Sequence, residues 1–411
     1  MIYDTIIIGG GLSGINLANK IFYSNKNNNF LLFESRNYLG GRVKTIYGKN
    51  YHYESGGARF NINHKNLIQL LKENGISKYK IPSDWKNINF NYKPKDIKYN
   101  NVNELVTDLI NKGEKKSRKF LIQHTLYSLC KEILGEKYAK YLAVNHPYYS
   151  EIFVTNALDA LQSVKIDLRE DKQFYIVQDG LSNLIHKMSQ DFKNKINLSS
   201  TLKKIEYNDS NYLCYIEKKD KIKTFCCKNL VLAIDSCGLK KINYLSKIKP
   251  LLNSVSCLPL LRIYQKYDTK NKLWFQDLGK IVTDNKIRYI IPVNYNEGII
   301  MISYTDGKYS NYWKKKIDDG ILEETLQIQL HRMFPEKEIP KPIWTKSYYW
   351  KLGACYWKPN YKSEEMINKI SKPFKNENLY ICSSNYSNRQ AWMEGALESS
   401  NKIYKMLKMN I

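Results

Sequence analysis

The chain has 411 residues, of which 43% are hydrophobic, and this content excludes a disordered protein. Lys and Arg number 65 against 39 Asp and Glu, giving a net charge of +26 that would attract anionic polymers. Because the basic residues are scattered and form no long block, we expect nucleic-acid binding that is weak and non-specific at most.

The eight cysteines and six histidines show no metal-ligand spacing, so we expect no metal site. No apolar stretch reaches the roughly 18 residues that a membrane span requires. The chain starts almost directly with a strand and shows no signal peptide, which predicts a cytoplasmic protein with reduced thiols.

The first predicted elements form a βαβ unit. "DTIIIGGGLSGINLANKI" predicts a buried strand, a glycine turn and a helix, and "NFLLFESR" predicts a second buried strand. Gly9, Gly11 and Gly14 form a G-x-G-x-x-G pattern in which the first glycine turns the chain, the second admits a pyrophosphate and the third lets helix pack on strand. Leu12 and Ser13 lie in the same turn.

Glu34 ends the second strand, 20 residues after Gly14. A carboxylate at this distance typically accepts the ribose hydroxyls of a dinucleotide. The alternative is a surface carboxylate beside Arg36. The strand-end position favours the ribose role, and Ser35 and Arg36 belong to the same candidate site.

The rest of the chain predicts an α/β protein in which a nucleotide-binding domain is interleaved with a second domain. Helical patterns follow the first strands, and "FLIQHTLYSLCKEILG" is typical of a helix. Strands then return, a mostly antiparallel sheet follows, and the chain ends in strand, loop and helix. The predicted boundaries are 1–65, 176–256 and 344–411 for the nucleotide-binding parts, with a helical insert at 66–175 and a sheet-and-helix segment at 257–343.

Several short motifs together resemble the flavin amine oxidase superfamily. They are "GGGLSG", "FESRNYLGGR", "YESGGARF" and, near the end of the chain, "LYICSSNYSNRQAWMEGALESS". This superfamily contains monoamine oxidases and L-amino-acid oxidases. The resemblance implies a Rossmann-type FAD-binding domain interleaved with a substrate domain of mixed antiparallel sheet and helices, with FAD as cofactor.

The resemblance also implies roles for residues around the flavin. Arg42 would meet the pyrophosphate, Leu202 would meet adenine through its backbone, and Trp392 and Met393 would lie by the flavin ring. The remaining implied cofactor contacts are Gly41, Gly57, Ala58, Arg59, Cys355 and Ser384.

Arg59, in "GGARFNINH", resembles the arginine with which L-amino-acid oxidases bind a substrate carboxylate. His64, five residues later, also has a counterpart there. A guanidinium can bind a carboxylate through two parallel hydrogen bonds, which a lysine cannot do. The alternative is that Arg59 binds a phosphate of FAD or a neighbouring acidic residue.

The segment "WKLGACYWKP" resembles the family's aromatic segment. Tyr356 and Trp392 would then be catalytic and substrate-binding residues, forming two aromatic walls that guide an amine to the flavin. The alternative is composition, because the chain contains 33 Tyr and 7 Trp.

The sequence departs from the family pattern at two places. Arg262 stands where many members carry a lysine that holds a water against the flavin, and Lys266 is the alternative if the register is shifted. Ser383 and Ser384 stand where the family usually has Gly-Glu. We count Arg262 as a candidate catalytic residue, with slower reoxidation of the flavin by oxygen as the expected consequence.

Cys355 precedes Tyr356 in "GACY", the order in which monoamine oxidases carry the cysteine that is bonded to the flavin. The resemblance therefore raises a covalent tether at Cys355, with Lys351 and Lys358 favouring the thiolate if they face inward. The alternative, which we favour, is an ordinary buried cysteine.

The implied function is an FAD-dependent oxidoreductase that takes a hydride from the carbon next to an amine and leaves an imine. The expected substrate is a small amine or amino acid, with molecular oxygen as a candidate acceptor. One alternative is a desaturase or protoporphyrinogen-oxidase-like flavoenzyme. Another is a non-catalytic basic protein that keeps the fold for packing or nucleic-acid contact.

Overall fold

A computed structural model describes residues 1–24, 29–82, 84–89, 92, 96–167 and 173–409. The N-terminal part contains a run of strands with one helix, followed by a second helix and two short strands. These elements are β1 (Ile2–Ile8), α1 (Leu12–Ser24), β2 (Phe30–Phe33), β3 (Thr45–Tyr47), β4 (His52–Glu54), β5 (Phe60–Asn61), α2 (Lys65–Glu73), β6 (Lys78–Ile81) and β7 (Lys86–Ile88).

A group of helices follows, and then the chain returns to strands. The elements are α3 (Val102–Gly113), α4 (Arg118–Gln123), α5 (Leu126–Leu134), α6 (Glu136–Asn145), α7 (Tyr149–Phe153), α8 (Ala157–Asp167), β8 (Phe174–Val177), α9 (Leu181–Ser189), β9 (Ile196–Asn197), β10 (Thr201–Asn208), β11 (Asn211–Lys218), β12 (Lys221–Leu232), α10 (Ser236–Lys240) and α11 (Lys249–Leu252).

The last third begins with long antiparallel strands and ends with a helix. Its elements are β13 (Val255–Lys266), β14 (Ile281–Thr283), β15 (Tyr289–Asn294), β16 (Ile299–Asp306), α12 (Gly307–Asp318), α13 (Leu322–Met333), β17 (Trp344–Trp357), α14 (Ser363–Ser371), β18 (Leu379–Ile381) and α15 (Met393–Lys408).

The first sheet has the order β10-β11-β12-β1-β2-β9, and β18 pairs with β12. Strand β1 lies between β12 and β2 and is parallel to both. Its residues Ile6, Ile7 and Ile8 are buried, as expected for a central parallel strand that is covered on both faces. The apolar side of α1 packs with α15 over one face of this sheet.

The second sheet has the order β17-β13-β16-β15-β14-β7, and its long strands β17, β13, β16 and β15 pair antiparallel. Helices α12 and α13 cover one face through buried residues such as Trp313 and Leu330. The observed α/β architecture, with strands of the two sheets alternating along the chain, confirms the predicted fold class. The domain boundaries stay a prediction, and β17 pairs in the second sheet although its residues were assigned to the last nucleotide-binding segment.

The helical segment differs from the predicted pattern at one point. The single helix expected over "FLIQHTLYSLCKEILG" is divided into α4 and α5 at His124 and Thr125. Thr125 forms a reciprocal capping box with Ser128, which satisfies the free amides at the start of α5. No helix among the described residues is both long and apolar enough to cross a bilayer.

Candidate active site

The glycine turn between β1 and α1 has the shape of a dinucleotide cradle. Gly9 has a φ of +112°, and a Cβ atom there would overlap the carbonyl oxygen of Ala233. A Cβ at Gly14 would overlap the carbonyl oxygen of Gly9, so close packing requires both glycines. A Cβ at Gly11 would meet no described atom within 4 Å. The turn is therefore tight at Gly9 and Gly14 but open at Gly11, where the start of α1 can face a phosphate.

Glu34 lies beside this turn and is buried. One carboxylate oxygen accepts a hydrogen bond from the amide of Gly10 at 2.7 Å. The other accepts bonds from the amide of Arg36 at 2.8 Å and from the Ser35 hydroxyl at 3.2 Å. Because only 7% of Glu34 is exposed, the surface-carboxylate alternative is wrong. The ribose role stays a prediction.

The "GGR" loop packs on the glycine turn. Gly40 donates its amide to the carbonyl of Gly10 at 2.8 Å. Gly41 has a φ of +62°, and a Cβ there would lie 3.3 Å from the Cα of Gly11. The next residue, Arg42, extends toward the C-terminal part of the chain, so this loop contacts both the glycine turn and the C-terminal segments.

Among the described residues, Arg42 donates hydrogen bonds to neutral oxygen atoms only. Its partners are the carbonyls of Gly353 at 2.7 Å and Leu352 at 3.3 Å, and the hydroxyl of Ser384 at 2.9 Å. Burial lowers the pKa of Arg42, and the charge of Asp235 partly offsets this. In the described part of the chain no carboxylate lies within ion-pair distance of Arg42, which suits a pyrophosphate.

The "YESGGARF" loop lies between Arg42 and the start of α15. Gly57 donates its amide to the carbonyl of Arg42 at 2.9 Å, and a Cβ at Gly57 would lie 3.5 Å from Met393. Gly57, Ala58 and Met393 are therefore brought together with Arg42. Leu202, by contrast, lies at the first residues of β10 beside a bulge and packs on the core of the first sheet.

Arg59 is held on two sides. Its Nη2 donates to the hydroxyl of Tyr148 at 2.8 Å, and its guanidinium lies 4.8 Å from the ring centre of Phe174. Phe174 stacks on Trp392 with centroids 6.3 Å apart. The pKa of Lys280 falls to about 8 because of burial and then because of the nearby charge of Arg59. Arg59 thus lies against Phe174, which stacks on Trp392, and its charge reaches Lys280.

Trp392 and Tyr356 occupy different parts of the site. Trp392 packs edge-to-face on His64, with centroids 4.9 Å apart. Tyr356 is buried on β17, and burial, followed by the charges of Glu151 and Asp306, raises its pKa well above the usual value. Among the described residues the two rings make no contact with each other. Their predicted role as facing walls stays untested.

Arg262 is buried on β13 and faces inward. Its Nη1 donates to the carbonyl of Glu54 at 2.8 Å, and its guanidinium lies 4.8 Å from the ring centre of Tyr304. The alternative residue, Lys266, instead pairs with Glu297 at 3.0 Å. Of the two, only Arg262 reaches the loop that carries Arg59.

The carboxyl of Glu54 is a titratable group that sequence analysis missed. It accepts hydrogen bonds from the Thr45 hydroxyl at 3.0 Å and the Leu181 amide at 2.8 Å. Burial raises its pKa to about 7 despite these bonds and the nearby charge of Arg262. No local pattern marks it, since its partners come from distant segments.

We expect Glu54 to make stability depend on pH. Its pKa is higher in the folded than in the unfolded protein, so folding is favoured less as pH rises from about 4.5 to about 7 and is constant above that range. Glu54→Gln should therefore gain stability relative to wild type between about pH 5 and about pH 8. Urea unfolding at the two pH values measures this. A difference between the proteins that does not change with pH would contradict the prediction.

Cys355 has a different partner from the one the resemblance suggested. It is bonded to Cys257, which lies directly opposite on β13, with Cα atoms 3.9 Å apart. Cys355 is 1% exposed and belongs to the core under the first sheet. The expectation of reduced thiols is wrong for this pair, and in this form Cys355 has no free thiol for a tether. Lys351 is exposed and does not face inward.

The tether and the disulfide can be separated by experiment. We expect acid denaturation to release all flavin from the polypeptide and thiol counting to show two fewer free thiols than after reduction. Cys257→Ser should remove that difference. Flavin that stays with the denatured wild-type chain and leaves the Cys355→Ser variant would show the tether instead.

Comparison with known proteins agrees with this geometry. The model of the flavin containing amine oxidoreductase family matches residues 12–402. The chain is 22% identical over 489 residues to an uncharacterised protein of Acanthamoeba polyphaga mimivirus, covering 97% of this chain and 92% of that protein. It is 20% identical over 450 residues to the L-amino acid oxidase bordonein-L of Crotalus durissus terrificus, covering 96% and 84%.

A putrescine oxidase double mutant with redesigned cofactor binding has a similar structure. The TM-score is 0.77 at 13% identity, over 100% of this chain and 99% of that one. At this identity the likeness shows a shared fold. The open cradle at Gly11 and the guanidinium of Arg42 fit a dinucleotide, and the family match, which begins at residue 12, includes Arg42. The chain belongs to the flavin-containing amine oxidoreductase family and is an FAD-dependent oxidoreductase.

Proposed function

We propose that this oxidoreductase oxidises the C–N bond of an amine that carries a carboxylate, that is, an amino acid. The observation that carries the proposal is the position of Arg59. Its guanidinium is oriented by Tyr148 and Phe174, and Phe174 stacks on Trp392, the residue that precedes Met393. A carboxylate bound by this guanidinium would be fixed relative to the flavin.

The cofactor would be held by groups from three parts of the chain. The start of α1 and Arg42 would face the pyrophosphate, Glu34 would accept the ribose hydroxyls, and Trp392 would lie by the flavin ring. Bound FAD supplies the acceptor for the hydride that leaves the carbon next to the nitrogen, and the product is an imine that water hydrolyses.

The protein's own residues would bind and orient the substrate. Arg59 would bind the carboxylate, and the rings of Tyr356 and Trp392 would border the carbon chain. His64 accepts the Asn61 amide on Nδ1 at 3.3 Å, and burial lowers its pKa to about 3. It is therefore a neutral imidazole whose hydrogen is on Nε2, and it cannot act as a cation at neutral pH.

The identity of Arg262 affects which electron acceptor reoxidises the flavin. A guanidinium can orient a water, but it does not lose its proton. We propose that Arg262 fills the place of the flavin-proximal lysine and that reoxidation by molecular oxygen is slow. Family membership supports the enzyme over the non-catalytic alternative, and weak nucleic-acid binding stays a prediction.

The test is the absorption spectrum of the purified protein before and after anaerobic addition of amino acids and of the amines obtained by removing their carboxylate. We expect a yellow protein whose visible flavin band is bleached by amino acids. Bleaching by the amines alone would contradict the carboxylate proposal. Bleaching by neither would favour the desaturase-like alternative.

A further inference from the structure

Tyr148, which contacts Arg59, lies in the short connection between α6 and α7. The residue is partly buried, and its hydroxyl accepts the hydrogen bond from Arg59 Nη2 at 2.8 Å. The two residues are 89 positions apart in the chain. What holds this connection in place also determines where Arg59 points.

Arg288 holds the α6 side of the connection. It is 2% exposed and lies between β14 and β15. Its two terminal nitrogens donate to the carbonyls of His146 at 2.6 Å, Val144 at 3.3 Å and Ala143 at 3.4 Å. Carbonyls at a helix end lack partners within the helix, and a cation is favourable there. Arg288 therefore fixes the end of α6 to the second sheet.

Asp306 holds the α7 side. It ends β16, is 1% exposed, and its carboxylate accepts the amides of Tyr149 at 2.8 Å and Ser150 at 2.7 Å, as well as the Ser150 hydroxyl. Strands β15 and β16 also contact the ring of Tyr148. Tyr304 and Tyr289 pack edge-to-face on it, with centroids 5.6 and 6.3 Å away. Tyr148 is thus held by charges on both sides and by rings from the same sheet.

We infer that Tyr148 is a specificity-determining residue that orients Arg59, and that Arg288 and Asp306 are positioning residues acting through Tyr148. The inference rests on the proposed carboxylate role of Arg59. Bidentate binding requires the guanidinium to present one edge in one plane. The ring of Phe174 lies 4.8 Å from the guanidinium and the Tyr148 hydroxyl accepts from Nη2, so these two contacts restrict how the guanidinium can turn. An arginine without the Tyr148 contact retains its charge but loses that restriction.

Tyr148→Phe tests this in the FAD-loaded protein, because it keeps the ring and removes only the hydroxyl. We expect kcat/KM for L-phenylalanine to fall about tenfold, mostly through KM, with little change for phenethylamine. Calorimetric titration with benzoate should show a similar loss of affinity. The melting temperature should stay near that of wild type, because the ring packing is kept. Equal losses for both substrates, or none for either, would overturn the inference.

A double-mutant cycle separates this inference from the proposed function. If Tyr148 acts through Arg59, the Arg59→Ala/Tyr148→Phe pair loses no more than Arg59→Ala alone. Additive losses would overturn the positioning role, as would a selective effect of Arg59→Ala that Tyr148→Phe does not share. If Arg59→Ala itself leaves the amino-acid preference unchanged, the proposed function fails and this inference fails with it.

Asp306→Asn tests whether Asp306 positions Tyr148. An amide cannot accept both backbone amides as the carboxylate does, so the preference for L-phenylalanine over phenethylamine should fall severalfold. Should this variant not fold, Ser150→Ala, which removes one bond to Asp306, decides the point by the same ratio. A folded variant with the wild-type preference would overturn the role of Asp306.

Discussion

Gly11→Val is expected to give a protein that folds but takes up no FAD. A Cβ at Gly11 meets no described atom within 4 Å, so we expect the fold to tolerate a side chain there. The valine would instead occupy the space in front of α1, where the second glycine of the pattern admits a pyrophosphate. Flavin absorbance per mole of protein and the melting temperature of the apoprotein measure the two effects.

Two matched variants make this result specific. Gly279→Val also introduces a side chain whose Cβ meets no described atom within 4 Å, but at an exposed loop residue that is not part of the cradle, and it should bind FAD normally. Gly14→Ala should fail to fold stably, because its Cβ would overlap the Gly9 carbonyl. Normal FAD content in Gly11→Val would contradict the assignment of the cradle.

Arg59→Ala is expected to impair amino acids selectively. Losing a charge-assisted bidentate pair costs on the order of 2–4 kcal/mol, or tens- to hundreds-fold in kcat/KM. The matched amines should be much less affected, since they present no carboxylate. Steady-state kinetics with each amino acid and its decarboxylated amine gives the comparison.

The controls for Arg59 distinguish its alternatives. Arg59→Lys keeps the charge but loses the planar guanidinium, so it should retain more activity than Arg59→Ala but less than wild type. Arg332→Ala, at an exposed position on α13, should change nothing. A loss of FAD content in Arg59→Ala would show that Arg59 serves the cofactor. Equal losses for amines and amino acids would show a role in the fold.

Several elements were predictable because their signals are local. The run of isoleucines in β1, the glycine turn and the helix after it follow from side-chain size and backbone freedom within a few residues. The family motifs identified FAD for the same reason, since cofactor contacts cluster in short segments. The break between α4 and α5 was missed because the apolar spacing continues across it, while Thr125 caps a new helix.

The sequence by itself determined the α/β fold class and the dinucleotide cradle, and it singled out Arg59 as a candidate for carboxylate binding. Only the tertiary structure decided what surrounds Arg59 and Cys355. Tyr148 reaches Arg59 across 89 residues, and Cys257 reaches Cys355 across 98. Such pairs depend on the pairing register of β13, β16 and β17 and on where the connection between α6 and α7 contacts that sheet. No periodicity or motif within one segment encodes that meeting, because it is set by the packing of both sheets together.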